Sequence, residues 1–103
     1  MNVEELEQII KDVMSQDGLN VDNTANLHFD NIMKYTKNSI DYVEEVYDED
    51  LGRIYHIFKF CHNGSVVHFK SVLYYDEYIC DYYSDSKVIL VKPIEKIIYE
   101  EVE

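Results

Sequence analysis

The sequence predicts an α+β domain, with one or two N-terminal helices packed on one face of an antiparallel β-sheet. Three observations carry that expectation. Apolar residues recur at helical spacing over 3–15, the periodicity turns strand-like from residue 39, and Asn63-Gly64 sits at the centre of a long alternating run. All 103 residues are read as one domain, helical over 2–37 and sheet over 39–103.

The first helix is expected over 3–15. Val3, Leu6, Ile10, Val13 and Met14 form one stripe, while Glu4, Glu5, Glu7 and Asp12 face away. Asn2 can cap its first turn, Glu5 stands three positions on as in a capping box, and Gly18 offers a stop. A second, weaker helix is expected from about 23 to 37, with Ala25, Phe29, Ile32, Met33 and Thr36 on one side and Asn38 at its end. "SIDYVEEVY" then reads as a strand, joined by the 48–52 loop to "RIYHIFKFCHNGSVVHFKSVLYY".

Asn-Gly favours a two-residue hairpin turn because both central positions need positive φ. That turn sets Phe60 opposite Val67, Phe58 opposite Phe69 and Ile54 opposite Leu73, so one face becomes almost wholly apolar. The other face pairs Lys59 with His68, Ile57 with Lys70 and Tyr55 with Val72, a mixed surface suited to solvent. "KVILV" at 87–91 reads as a further strand, ended by Pro93. The segment from 94 to 103 fits either helix or strand, and its Ile, Val and Tyr content favours strand.

Nine basic residues stand against twenty-one acidic ones, a formal charge of −12. Charge of that size makes nucleic acid and anionic membranes poor direct partners and a basic protein surface the complement. The opening "MNVEELEQII" lacks a basic region followed by an apolar run, and no stretch reaches membrane-spanning length. A cytoplasmic location with reduced thiols is therefore expected.

Chemistry is sparse. The three glycines make no phosphate-cradling loop, no G-x-S-x-G element occurs, and Ser65 or Ser71 beside His56 or His68 carries no further triad signal. Cys61, His62 and Cys80, with His56 or His68, are metal-ligand types, but Cys61 and His62 point to opposite faces of one strand. No pair has zinc-site spacing, and buried or half-buried packing is the expected role of both cysteines. "DEDLG" fails as a calcium loop, because Gly52 stands at the fifth position and Lys59 at the twelfth. Neither enzymatic activity, metal nor cofactor is expected.

What remains is acid interleaved with tyrosine. "DYVEEVYDED" places Asp41, Glu44, Glu45, Asp48, Glu49 and Asp50 around Tyr42 and Tyr47, six carboxylates in ten positions. "YYDEYICDYYSD" adds Asp76, Glu77 and Asp81 among Tyr75, Tyr78 and Tyr82, with Tyr74, Tyr83 and Asp85 beside them. Charge runs ordinarily mark a solvated face, and tyrosine is a favoured strand residue. Two runs sharing one sign and one aromatic type instead mark a candidate binding surface. Same-face side chains on a strand recur at roughly 7 Å, comparable with phosphates along a nucleic-acid strand. Carboxylates on a stiff sheet can therefore engage lysines and arginines that grip phosphates, and tyrosine adds flat area that stacks on arginine.

In length, charge and these two segments, the chain resembles the small acidic inhibitors of phages and mobile elements, the type II anti-CRISPR and DNA-mimic anti-restriction proteins. The resemblance covers the character of residues 40–103 and transfers no site residue. It implies an inhibitor in the host cytoplasm that presents a DNA-like surface to the basic groove of a CRISPR nuclease or restriction enzyme. The alternative is a phage structural or regulatory interaction module that pairs through a sheet edge or homodimerises.

Overall fold

In a computed structural model, residues 1–16, 27–36, 39–94 and 101–102 are described. Six elements follow in order: α1 (Val3–Gln16), α2 (Phe29–Tyr35), β1 (Asp41–Asp48), β2 (Arg53–His62), β3 (Ser65–Asp76) and β4 (Asp81–Val91). The strands form one antiparallel sheet in the order β1-β2-β3-β4, so the architecture is α+β as expected. α2 is shorter than the helix expected over about 23–37: Leu27 and His28 are not helical, His28 caps its start and Thr36 its end. The stop at Gly18, Asn38 and the strand expected within 94–103 lie outside the described residues, apart from Ile94 and residues 101–102, which have no regular structure.

Asn2 caps α1: its Oδ1 accepts from the Glu5 amide at 2.8 Å. Leu6, Ile10 and Met14, one helical turn apart, are fully buried. His28 caps α2 through Nδ1, which accepts from the Asp30 amide at 3.2 Å. Thr36 closes that helix, its hydroxyl and amide both donating to the Ile32 carbonyl. The Thr36 carbonyl then accepts the Ser39 and Ile40 amides, which leads the chain directly into β1.

The hairpin register is the expected one. Asn63 and Gly64 have φ of 51° and 78°, and Phe60 faces Val67, Phe58 faces Phe69 and Ile54 faces Leu73. Following these pairs outward gives the inner face as rows across the sheet: Phe60–Val67, Tyr42–Phe58–Phe69–Leu90, Glu45–His56–Ser71–Val88, Tyr47–Ile54–Leu73–Ser84 and Tyr75–Tyr82. The helices cover the first three rows. Phe58 stacks on Phe69 at 5.2 Å between centroids, and these rings share a core with Leu6, Ile10, Met14, Leu27, Ile32 and Val88.

Two irregularities set the phase of the outer strands. In β1 the register shifts between Tyr42 and Glu44, so Val43 is an extra residue in a bulge. In β4 three residues, 85–87, stand where β3 has Val72 alone. β4 is also longer than expected. "KVILV" is its second half, and the acidic, tyrosine-rich "DYYSD" is its first. Val72, placed by its pairing on the mixed face, is buried at this shift rather than open to solvent.

Candidate functional site

An antiparallel meander returns to the same end of the sheet at alternate turns. The β1–β2 turn (49–52) and the β3–β4 turn (77–80) therefore sit side by side, far from the Asn63-Gly64 turn. Carboxylates build both turns. Asp48 Oδ1 accepts from the amides of Asp50 and Leu51 at 3.1 and 3.2 Å, and Asp76 Oδ1 from the Tyr78 amide at 2.8 Å. Gly52 has φ +60°, a conformation other residues resist, and its carbonyl accepts the Tyr75 amide at 3.1 Å. That bond ties the first turn to β3 beside the second.

The two acidic segments are thereby brought together. Asp48, Glu49, Asp50, Asp76, Glu77 and Asp81 crowd one end of the sheet, with Arg53 as the cation paired across from Asp48. Asp76 and Asp81 stand directly opposite each other on adjacent strands. A like-charge pair at such a position opposes folding. Among the described residues no ion pair within 4 Å involves these six carboxylates.

Tyrosines at this end divide between the two faces. On the inner face, beyond the reach of the helix-packed core, Tyr47 from β1 and Tyr82 from β4 meet through their hydroxyls across Ile54 and Leu73. Burial, then this hydrogen bond and the neighbouring Tyr75, push the Tyr82 hydroxyl above its ordinary pKa. Tyr75 lies edge-on to Tyr82 at 5.3 Å. Tyr47 and Tyr75 stay 56% and 45% exposed, so flat ring area faces outward on both. On the opposite face Tyr74 stacks on Tyr83 at 5.5 Å, and the Arg53 guanidinium lies 5.0 Å from the Tyr74 centroid. Burial and the carboxylate of Asp85, its hydrogen-bond partner, raise the Tyr74 pKa against the opposing pull of Arg53.

Of the residues expected to form the surface, Tyr47, Asp48, Glu49, Asp50, Tyr75, Asp76, Glu77, Asp81 and Tyr82 converge at this end. Tyr78, in the second turn, is fully exposed. Glu44 and Glu45 flank it on β1 but on opposite faces. Asp41 and Tyr42 stand apart, about 20 Å down the strand at 3.3 Å per residue. Tyr42, 39% exposed, touches Phe29 and Phe58, both at 5.6 Å, at the margin of the core; burial first, then Glu45 and Glu44, raise its pKa. The sharing of tyrosines between two faces, and the apolar pair Ile54 and Leu73 beneath the inner set, emerge only from the strand pairing.

The boundary row holds an unusual core element. His56 is buried, stacked on Phe29 at 3.6 Å, and paired across strands with Glu45 on one side and Ser71 on the other. Its Nδ1 and the Ser71 Oγ are buried without a hydrogen-bond partner among the described residues. Burial pulls the His56 pKa down, opposed by Glu45 and Asp30 and aided by His28.

No metal site forms: among the described residues no three metal-ligand side chains of His, Cys, Asp or Glu converge. Cys61 and Cys80 are both exposed, contrary to the expected packing role. Cys61 falls on the outward phase of β2 near its end, and Cys80 occupies the second turn with φ 51°. No helix among the described residues is long and apolar enough to cross a membrane. Comparison with known protein families, with characterised proteins and with solved structures gave no match.

Proposed function

We propose that the chain is a binding protein whose acidic, tyrosine-bearing end engages a basic protein surface. In the fullest form of the reading, that surface is the nucleic-acid groove of a CRISPR nuclease or restriction enzyme, and the chain is its inhibitor in the host cytoplasm. One observation carries the proposal: two acidic segments, separated in sequence by residues 51–73, fold to the same sheet end beside uncovered aromatic rings. The Asp76–Asp81 pairing adds weight, because a sequence selected for stability alone would separate those charges. Carboxylates steer a cationic partner in at rates that fall with salt, and the tyrosines supply the area that holds it.

The test is DNA cleavage by a panel of purified CRISPR nucleases and restriction endonucleases, with the full chain added over a range of salt. Glu49→Ser/Asp50→Ser/Glu77→Ser removes exposed charge and leaves the turn-building Asp48 and Asp76 in place. Inhibition should fall about tenfold or more, while the melting temperature stays put. Inhibition that ignores both the triple exchange and salt would defeat the reading.

The sheet edge favours one alternative. Among the described residues β1 is the terminal strand, exposed along almost its whole length, an edge that could pair with another chain. Its bulge at Val43 and the adjacent Glu44 and Glu45 oppose self-pairing, since an antiparallel copy would bring like charges together. Salt-insensitive dimerisation in sedimentation would support this module reading over inhibition.

A further inference from the structure

We propose that the open inner face at the acidic end selects arginine over lysine, with the partner's guanidinium groups laid on Tyr75 and Tyr47. This deepens the basic-partner reading and rests on it. Two adjacent cross-strand tyrosine pairs, Tyr74–Tyr83 and Tyr75–Tyr82, lie on opposite faces of the same two strands. The first already carries a guanidinium: Arg53 lies 5.0 Å over Tyr74, and Asp48 stands across from it on β1. The second has the same two rings and a third, Tyr47, but among the described residues no cation lies over any of them. Among the described residues the stacked pair on one face carries a guanidinium, and the edge-on pair on the other face carries none.

The open inner face is anionic at its border. Glu45 lies one row inward on the same face, and Glu49, Asp50 and Glu77 are exposed on the turns beyond it. A planar, weakly hydrated guanidinium can stack on a ring while its in-plane N–H groups reach carboxylates to the side. An ammonium is a strongly hydrated point charge that gains from the carboxylates but little from the ring. The edge-on contact of Tyr75 with Tyr82 holds these rings in place before any partner arrives, so little order is lost on binding. Carboxylates alone would attract both cations. The aromatic floor is what separates them.

The experiment titrates the full chain with N-acetylated, C-amidated hexa-arginine and hexa-lysine at 150 mM salt, followed by tyrosine ring signals in NMR. Hexa-arginine should bind about tenfold more tightly, the equivalent of one or two exposed cation–π contacts. Tyr47→Leu/Tyr75→Leu should reduce hexa-arginine to the level of hexa-lysine and leave hexa-lysine nearly unchanged. Tyr83→Leu, on the other face, should preserve the preference, and it also reports whether a lost tyrosine pair alone unsettles the strands. Equal affinity of the two peptides in the parent chain overturns arginine selection and leaves the basic-partner reading standing. A preference that survives the Tyr47/Tyr75 exchange overturns the proposal, because neither proposed ring is then present. Binding of neither peptide, even at low salt, overturns both the inference and the reading beneath it.

Discussion

Replacing Asp81 by asparagine should make the protein more stable and a poorer binder at once. Asp81 faces Asp76 directly across β3 and β4. Side chains so placed have Cβ atoms about 5 Å apart, where two unit charges in water repel by about 0.8 kcal/mol. Asparagine keeps an oxygen to accept the Tyr82 amide, which Asp81 Oδ1 now does at 2.7 Å, so the local turn geometry survives. The gain is therefore the repulsion itself, about 0.2–1 kcal/mol by the usual range for cross-strand pairs. For a domain of this size that raises the melting temperature by about 1–8 °C. Scanning calorimetry at 20 mM and 500 mM salt separates the electrostatic part, because the screening length falls from roughly 20 Å to about 4 Å between them. Stabilisation should be present at low salt and largely gone at high salt. A melting temperature that is unchanged or lower at 20 mM would refute the claim that the acidic end is held against its own repulsion.

Other outcomes follow from the core and the turns. Because burial holds the His56 pKa down, the unfolded chain binds a proton there before the folded one does. Its stability contribution is thus intact above about pH 6.5 and declines as pH falls from there, by at most about 1.4 kcal/mol per pH unit. His56→Phe should remove that slope in urea unfolding between pH 7.5 and 5.5, and identical slopes in both proteins would contradict it. Phe58→Ala deletes a ring that is 1% exposed and stacked on Phe69, and should cost about 3–5 kcal/mol in denaturant unfolding. Gly64→Ala, at φ +78° in open space, should cost about 1–2 kcal/mol through backbone strain alone.

The hairpin was legible because one dipeptide dictates its turn and the turn dictates every pair along Phe58 and Phe69. The first helix was legible through Asn2 and the four-residue recurrence of Leu6, Ile10 and Met14. The outer strands were harder. A bulge at Val43 and three residues set against Val72 change the phase within β1 and β4, and no local sequence signal marks either. That is why "DYYSD", read only as part of an acidic, tyrosine-rich segment, turns out to be the first half of β4, and why the contact of the part-exposed Tyr42 ring with Phe29 and Phe58 was not foreseen. Convergence of the two acidic segments depends on a meander of strands, which periodicity in any one segment cannot disclose.

The extra residue in β1 has a consequence of its own. Tyr42 and Tyr47 are five positions apart, an odd interval, so an unbroken strand would send them to opposite sides of the sheet. Val43 absorbs the difference, and both rings end on the inner side, one anchoring the helices and the other reaching Tyr82. Excising that single valine would leave the two tyrosines four positions apart, an even interval that a regular strand presents on one side, so both attachments would survive the loss of the bulge.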